Sequence, residues 1–594
     1  MYLKKSTRKS TGRTQLSIVE GYYDKEARTS RTRTIQSLGY LDELEKLYDD
    51  PIAHFTKVAE QMNAEKNAAE APVTMEFQKG AELSIGTDNR KNFGYLAASA
   101  LYHDLGIHEF FSNRQRSTKA EYNINSIFRA LVFSRIICPD SKKGSYEGLH
   151  CFFDKCDFSL DDIYRSLDIF SRYQSDLQVW IHEHIRQNYG RDTSLVYYDV
   201  TNYYFEIDKE DEMKRKGPSK EHRPDPIVQM GLFMDTNGLP ITYGLFSGNT
   251  LDKQTLIPMM GELVDKYNLG KVIVVGDRGM ITGDNIAQII TDKNGYVLSF
   301  SIRGSDKTFK EYVLDQTDYR RREDDPEGFK IKSRQANRKI HVTNPLTGKK
   351  TDVTVEEKHL VFYSPEYAAR AKYDRQRVLE KAKDLISHPE KYSRATGYGA
   401  AKYVKNAVFD KSTGEIIQKK GVDLSLDMEL IKEEEKYDGY YAIVTSEYEK
   451  SDREIIEIYR GLWEIEENFG ITKSELKTRP VFVKTIEHVK AHFLICFTAL
   501  VLMKLMEYRI GRKYAVQTII ESLRRCGCSL MDKNVYLFDY YDDVLKTVGE
   551  DLGINFGLQT RTLQSIKQEL GDTKKRSRKP GPVKKPARSA SQPV

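Results

Sequence analysis

Two apolar runs in the middle of the chain each end in a single aspartate. Asp199 follows the run Leu195–Tyr198, and Asp277 follows the run Val272–Gly276. Short apolar runs rich in β-branched and aromatic residues are typical of strands buried on both faces. Because the end of a buried strand opens to solvent, a carboxylate at that position can bind a ligand. Taken alone, either aspartate is more often a turn or capping residue.

The segments around these two aspartates predict a regular order of elements. The order is a strand, a β-hairpin that turns at Asn237-Gly238, a helix, a strand, a helix and a strand. These elements are predicted over residues 194–206, 226–246, 252–267, 271–277, 281–292 and 295–301. This order is the one that a ribonuclease-H-like core requires, so the predicted fold class is α/β.

The rest of the 594 residues is predicted to form several further segments, because a domain usually has ~100–200 residues. The core is interrupted by a β-rich insertion subdomain, which must fold because so long a structureless loop is implausible. A mainly helical N-terminal region precedes the core and a helical region follows it. The predicted segments are a basic β-hairpin and linker region that binds DNA (1–85), a helical domain (86–190), the first segment of the core (191–302), the insertion (303–438), the second segment of the core (439–510), a helical C-terminal region (511–573) and a disordered basic tail (574–594).

Composition excludes some classes of protein. The most apolar segment, Phe493–Met506, is shorter than the ~20 residues that span a bilayer and contains Lys504, so it is predicted to be a buried core helix. The six cysteines form no CxxC pair, and the N-terminus lacks the apolar stretch of a secretory signal. These features predict a reduced, cytoplasmic protein. Its net charge of +6 is compatible with a polyanionic partner.

A third acid, Glu466, lies in the run YRGLWEIEENFGITK, residues 459–473. The sequence predicts one helix over 452–476. Tyr459, Glu466 and Lys473 are spaced seven apart, so they would share one face along a line of about 20 Å. Such a line suits a metal ion at its centre with DNA phosphates along it. The simpler alternative is an ordinary surface helix with Glu–Lys pairs.

Jointly, these motifs resemble the DDE transposases of bacterial insertion sequences. The resemblance is to the insertion sequence four superfamily, whose members have a Tyr–Arg–Glu–Lys signature around the third acid. The first acid occurs as D-x-T and the second as GDRG, which is similar to one branch of that superfamily. The matching segments are YYDVTNYYFE (197–206), the run 222–256, VVGDRGM (274–280), GYYAIVTS (439–446) and the run 459–483.

The resemblance implies roles for six residues. It places the catalytic, metal-binding acids at Asp199, Asp277 and Glu466. The DNA-contacting residues implied by the signature are Tyr459 and Lys473. The signature arginine is expected three residues after the tyrosine, where this chain has Leu462. Arg460 is the substitute, although it would point about 100° away from Tyr459 on a helix.

The implied function is metal-dependent cleavage at insertion-sequence ends and strand transfer into target DNA. The resemblance implies two Mg²⁺ ions, for which Mn²⁺ can substitute. The implied partner is double-stranded DNA, both the terminal inverted repeats and the target, bound by a homodimer. No membrane and no nucleotide cofactor are expected, and no GxxxxGK[ST] loop occurs.

Three alternatives stay open at this stage. A DNA-binding regulator derived from a transposase would not need the three acids. A metal-dependent nuclease on the same core would cleave DNA without joining it. A glycosidase with paired carboxylates would have no use for the basic tail, and sugar hydrolysis needs no metal.

Overall fold

A computed structural model describes residues 1–575 except 8–11, 25–28, 71–79, 81, 83, 218–223, 268, 322, 324, 345, 393–398, 409–422 and 532–533. The chain divides into two compact units, Met1–Thr87 and Asp88–Val594. The predicted basic tail lies outside the described residues from residue 576 onward.

The first unit is a small antiparallel sheet with two helices. Its strands are β1 (Tyr2–Thr7), β2 (Thr14–Asp24) and β3 (Thr29–Tyr40), paired in chain order. The helices are α1 (Leu41–Leu44) and α2 (Pro51–Glu70). Strand β2 buries Leu16 and Ile18, and α2 packs against β1. The predicted hairpin is therefore present with a third strand added.

The second unit begins with one short strand and a helical region. These elements are β4 (Arg90–Asn92), α3 (Tyr95–Asp104), α4 (Ile107–Gln115), α5 (Ile124–Ile137), α6 (Lys142–Glu147), α7 (Leu160–Arg172) and α8 (Gln174–Tyr189). The start of α7 is fixed by a capping box, in which the Ser159 hydroxyl and the Asp162 carboxylate each accept a hydrogen bond from the other residue's backbone N–H. This region is helical, as the sequence predicts.

The predicted alternation of strands and helices follows. The elements are β5 (Leu195–Tyr204), β6 (Ile227–Asp235), β7 (Pro240–Ser247), α9 (Leu256–Tyr267), β8 (Ile273–Gly276), α10 (Gly283–Thr291) and β9 (Gly295–Phe300). They lie in the sheet in the order β7-β6-β5-β8-β9. Strand β8 is parallel to both β5 and β9, whereas the β5–β6 and β6–β7 pairs are antiparallel. The α/β fold class is confirmed.

The residues predicted as an insertion extend this same sheet. Strands β10 (Lys330–Thr343) and β11 (Lys350–Tyr363) form a hairpin, and β11 pairs with β14 (Tyr440–Thr445), which pairs with β9. The sheet thus has eight strands in the order β10-β11-β14-β9-β8-β5-β6-β7. The other elements between β9 and β14 are α11 (Lys307–Leu314), α12 (Pro365–Ser387), β12 (Val404–Lys405), β13 (Ser425–Leu426) and α13 (Met428–Glu435).

The C-terminal region contains strands that the sequence analysis missed. Its elements are α14 (Asp452–Arg460), α15 (Trp463–Lys473), α16 (Ile486–Arg509), α17 (Val516–Arg525), β15 (Gly527–Leu530), β16 (Val535–Phe538), α18 (Asp543–Leu552), β17 (Thr560–Thr562) and α19 (Leu563–Lys574). The strands β15, β16 and β17 form a four-stranded sheet with β4. An entirely helical C-terminal region was therefore a wrong prediction. Strands of three or four residues are too short to show an alternating pattern.

The apolar helix α16 is a core helix, as predicted. It is long and apolar enough to cross a membrane, but 94% of its most apolar window is buried inside the protein. Lys504 of this helix has only 2% of its side chain exposed, and its ammonium pairs with Glu507 and, at 3.2 Å, with Glu467 of α15. Burial alone would lower the pKa of Lys504, but the two carboxylates raise it above its usual value.

Replacing Lys504 by methionine should strongly destabilise the protein, because it leaves two carboxylates close together with no cation between them. Removal of one partner from a buried ion pair costs about 3–5 kcal/mol of unfolding free energy. Denaturant unfolding of Lys504→Met measures this loss. Lys546→Met, which changes an exposed lysine of α18, is the matched control and should unfold like the unaltered protein. Equal stability of the two variants would contradict the proposed role of the pair.

Candidate active site

The first two acids of the predicted triad lie side by side at one edge of the large sheet. Strands β5 and β8 are parallel, and Tyr198 is the register partner of Gly276. The next residues along the two strands are Asp199 and Asp277. Because neighbouring strands are ~4.8 Å apart, the backbones of the two aspartates are close enough for both carboxylates to reach one ligand.

The carboxylate of Asp277 is held by two hydrogen bonds to the same oxygen. Oδ1 accepts one from the backbone N–H of Arg278 at 2.7 Å and one from the hydroxyl of Ser299 at 2.8 Å. Ser299 belongs to β9, the strand next to β8 on the other side from β5. Oδ2 accepts no hydrogen bond among the described residues, so this oxygen stays available to a ligand.

The signature tyrosine lies on the Asp277 side of this edge. The hydroxyl of Tyr459, in the last turn of α14, is 2.8 Å from the hydroxyl of Tyr441 on β14. Both phenols also lie beside the Ser299 side chain. Burial is the main reason why the pKa of both phenols is raised, so both are protonated and able to donate.

The helix that carries the third acid is broken, which the sequence analysis did not predict. Helix α14 ends at Arg460 and α15 begins at Trp463. At the break, a Cβ atom on Gly461 would lie 2.3 Å from the hydroxyl oxygen of Tyr197, so the two segments approach closer than any side chain allows. The predicted straight line through Tyr459, Glu466 and Lys473 is wrong, because Tyr459 belongs to the other helix.

Helix α15 runs along β5 and is fixed to it at two places. The ammonium of Lys473 donates to the hydroxyl of Thr201 at 2.7 Å, and the hydroxyls of Thr472 and Tyr203 are 2.6 Å apart. These two hydrogen bonds and the contact between Gly461 and Tyr197 show that α15 and β5 run side by side in the same chain direction.

This arrangement places Glu466 beside the strand segment that carries Asp199. Alternate residues of a strand face the same side, so Asp199 shares the face of Tyr197 and Thr201, which contact the two ends of α15. Glu466 is seven residues before Lys473, and that spacing is about two full turns of one helix. Glu466 therefore lies on the same side of α15 as the ammonium that reaches Thr201.

Further contacts hold α15 from its other sides. The carboxylate of Glu464 pairs with Arg512 at 2.9 Å, and the Asn468 amide donates to the backbone carbonyl of Gly238 at 3.2 Å. Lys504 of the core helix contacts Glu467. The helix is thus anchored to the β6–β7 hairpin and to α16, which limits how far Glu466 can move.

The three acids suit a hard divalent cation in their chemistry. Carboxylate oxygens are the ligands that Mg²⁺ and Mn²⁺ prefer, and Oδ2 of Asp277 accepts no hydrogen bond among the described residues. Within the described residues of the chain, no three Asp, Glu, His or Cys side chains lie together in a group that could hold a metal ion. The backbone positions bring the acids to one edge, but the side chains are not gathered into a closed cluster.

Arg460, the predicted substitute for the signature arginine, lies on the outside. Its guanidinium pairs with Glu457, one turn earlier on α14, at 2.8 Å, and both side chains are more than half exposed. Leu462, at the expected arginine position, is buried.

Ser299, Tyr441 and Thr201 belong to this site but were not predicted as members of it. Ser299 and Tyr441 lie in strands that were predicted, GYVLSFS and GYYAIVTS. The feature that could have identified them is their position at the same edge of the sheet as the acids. It becomes visible only once the order of the strands in the sheet is known.

Two protein-family models match the chain. The model of the N-terminal domain of the IS1634 family transposases matches residues 3–73, and the model of the transposase DDE domain matches residues 204–502. The second match covers about half of the chain and includes Asp277 and Glu466, and it begins five residues after Asp199. No curated protein matches the chain significantly.

Three solved structures are similar to regions of the chain at low identity. A piggyBac transposase synaptic complex with hairpin DNA is 8% identical, with coverage of 84% of this chain and 87% of that chain and a TM-score of 0.32. A Mos1 transposase paired-end complex with the left transposon end is 11% identical, with 40% and 65% covered and a TM-score of 0.13. A Mos1 mariner paired-end complex with Mn is 12% identical, with 31% and 64% covered and a TM-score of 0.11. Scores of this size establish no shared fold, so the family assignment depends on the two family models.

Adding a methyl group at the helix break should destabilise the site. Gly461→Ala would force the backbone and Tyr197 apart, and overpacking of this kind costs about 1–3 kcal/mol of unfolding free energy. Gly470→Ala on the same helix is the matched control, because a Cβ there meets no atom within 4 Å and alanine favours a helix by about 1 kcal/mol over glycine. Thermal unfolding should show a lower midpoint for Gly461→Ala only; equal midpoints would contradict the close approach.

Proposed function

The chain belongs to the DDE transposases of bacterial insertion sequences, enzymes that cleave and transfer DNA, and we propose that Asp199, Asp277 and Glu466 form its catalytic centre. The observation that carries this proposal is the parallel register of β5 and β8, which sets Asp199 next to Asp277. The packing of α15 along β5 then brings Glu466 to the same edge.

The proposed core is ribonuclease-H-like. Its support is the strand order β7-β6-β5-β8-β9 with β5, β8 and β9 parallel. In open α/β sheets, ligands bind at the carboxyl ends of the parallel strands, where both aspartates lie. The hairpin β10–β11 and strand β14 would be additions to this core.

Transposase DDE domains generally depend on divalent metal ions. We propose that the three carboxylates hold two Mg²⁺ ions, with Asp199 shared between them. Bound there, the ions would lower the pKa of the attacking water or 3′-hydroxyl and stabilise the leaving 3′ oxygen. The residues supply the hard oxygen ligands for this chemistry, and the fixed orientation of Asp277 reduces the cost of ordering one of them.

The cationic residues of the signature would bind the DNA backbone. Lys473 is anchored on Thr201 near Asp199, so its ammonium can neutralise a phosphate close to the scissile bond. Arg460 is exposed and pairs with a solvent-exposed carboxylate, and a phosphate can compete for it at little cost. The Tyr459 hydroxyl is already engaged with Tyr441, so its proposed DNA contact would be an additional one.

The proposed reaction has two phosphoryl transfers on double-stranded DNA. The first cleaves DNA at the element end, and the second joins the freed 3′ end to target DNA. In each transfer, a P–O bond to the attacking oxygen forms as the P–O bond to the leaving 3′ oxygen breaks. Neither transfer therefore needs a nucleotide cofactor. Because two ends must be joined to one target, we propose that a homodimer holds both ends, and that the enzyme works in the cytoplasm.

We further propose that the N-terminal unit recognises the element end. It matches a transposase N-terminal domain and forms a compact unit of its own. Exposed basic residues, among them Lys4, Lys5 and Arg31, lie on β1 and β3. A basic surface is the expected footprint of a DNA-binding unit.

Loss of any one acid should abolish catalysis. Asp199→Asn, Asp277→Asn and Glu466→Gln each remove a charged metal ligand but keep the side-chain size. Cleavage and strand transfer in Mg²⁺ should fall by at least about 10³-fold, because metal-bound groups supply several kcal/mol to the transition state. Glu550→Gln, which makes the same change at an exposed glutamate of α18, is the matched control and should stay active. Normal strand transfer by any one of the three variants would refute the triad.

Deleting residues 1–87 should separate recognition from nonspecific binding. The truncated protein should lose its preference for a terminal inverted repeat over random DNA, because base readout would reside in the deleted unit. Its affinity for random DNA should change less, because phosphate contacts in the remainder persist. Fluorescence anisotropy with both duplexes measures the ratio. An unchanged ratio would show that the second unit reads the end.

A further inference from the structure

We propose that Ser299 is a positioning residue, whose hydroxyl donates to the Asp277 carboxylate and fixes it for metal binding, and that Tyr441 and Tyr459 pack beside the serine and help to hold it there. This inference builds on the proposed function, because it takes Asp277 to be a metal ligand.

The sheet register places Ser299 beside Asp277. Strands β8 and β9 are parallel, and Gly276 is the register partner of Leu298. The following residues, Asp277 and Ser299, are therefore neighbours across the two strands, in the same way that Asp199 and Asp277 are neighbours across β5 and β8. Ser299 is 2% exposed, so water does not compete freely for its hydroxyl.

The hydroxyls of Ser299, Tyr441 and Tyr459 and the carboxylate of Asp277 lie together, and the available protons determine which group donates each hydrogen bond. A serine and two tyrosine hydroxyls carry one proton each, and an ionised carboxylate can only accept. The Ser299 hydroxyl donates its hydrogen bond to Oδ1 of Asp277, with 2.8 Å between the two oxygens. One tyrosine hydroxyl donates to the other at 2.8 Å, and both phenols lie beside the Ser299 side chain. The serine proton is therefore the one that is directed at the carboxylate.

The consequence for the carboxylate is a fixed rotation. Oδ1 receives both the Ser299 hydroxyl and the backbone N–H of Arg278, so turning the carboxylate would break two hydrogen bonds. Oδ2 accepts no hydrogen bond among the described residues, and Asp277 is exposed, so a cation can reach this oxygen without breaking either bond. Hydrogen bonds to metal ligands commonly orient those ligands, and the loss of such a bond typically lowers metal affinity by about 10–100-fold.

The network also joins three elements at this point. Ser299 lies on β9, Tyr441 on β14 and Tyr459 at the end of α14. The same hydroxyls therefore connect the second acid to the helix that precedes the break at Gly461. Tyr459, the signature tyrosine, therefore has a structural role at this point, which is separate from any contact with DNA.

The experiment is a titration of the full-length protein with Mn²⁺, followed by the electron paramagnetic resonance signal of the free ion. The variants are Ser299→Ala and Tyr441→Phe. The matched control is Ser166→Ala, because Ser166 is also fully buried and its hydroxyl has no hydrogen-bond partner among the described residues. Asp277→Asn is measured in parallel, and thermal unfolding confirms that each variant is folded.

We expect Ser299→Ala to weaken Mn²⁺ binding by at least about tenfold. Tyr441→Phe should weaken it less, because the direct serine bond remains, and Ser166→Ala should leave it unchanged. If Ser299→Ala binds Mn²⁺ as tightly as the unaltered protein while Asp277→Asn does not, the positioning role is refuted and the metal site stands. If Asp277→Asn also binds normally, the proposed catalytic centre itself has failed.

Discussion

The parallel pairing of β5 with β8 is the constraint on which the rest of the site depends. Two acids that are 78 residues apart in the chain become neighbours because Tyr198 and Gly276 share a register. A shift of one residue would turn one of the two carboxylates to the other face of the sheet. The strands are fixed against such a shift by buried side chains on both faces, Val196 and Val274 on one face and Tyr197 and Val275 on the other.

The third acid depends on different interactions. Glu466 is carried by a helix, and its position is set by contacts at the helix ends rather than by backbone pairing. Gly461 against Tyr197 sets one end, and Lys473 on Thr201 sets the other. Side-chain contacts of this kind allow more movement than a sheet does, which agrees with three acids that share an edge without forming a closed cluster among the described residues. Mutual repulsion of three carboxylates also opposes closure until a cation is bound.

Much of this arrangement was predictable from local sequence patterns. The apolar runs before Asp199 and Asp277 indicated the strands, and Asn237-Gly238 indicated the hairpin turn, because those signals are short-range. The break at Gly461 was missed, because the residue that packs closely against it, Tyr197, lies more than 260 residues earlier. Ser299 and Tyr441 were missed for the same reason: their role follows from strand order, which depends on pairings distant in sequence. The small C-terminal sheet was missed because one of its strands, β4, lies at residues 90–92.

The central claim is that folding brings Asp199, Asp277 and Glu466 to one place where they bind divalent cations together. Its most direct test is anomalous diffraction from crystals of the protein with Mn²⁺ and a cleaved element end. The account predicts manganese peaks within about 2.0–2.4 Å of carboxylate oxygens from all three residues, the range for such ions and oxygen ligands. Manganese bound elsewhere, or bound at this edge with one of the three acids turned away, would contradict it.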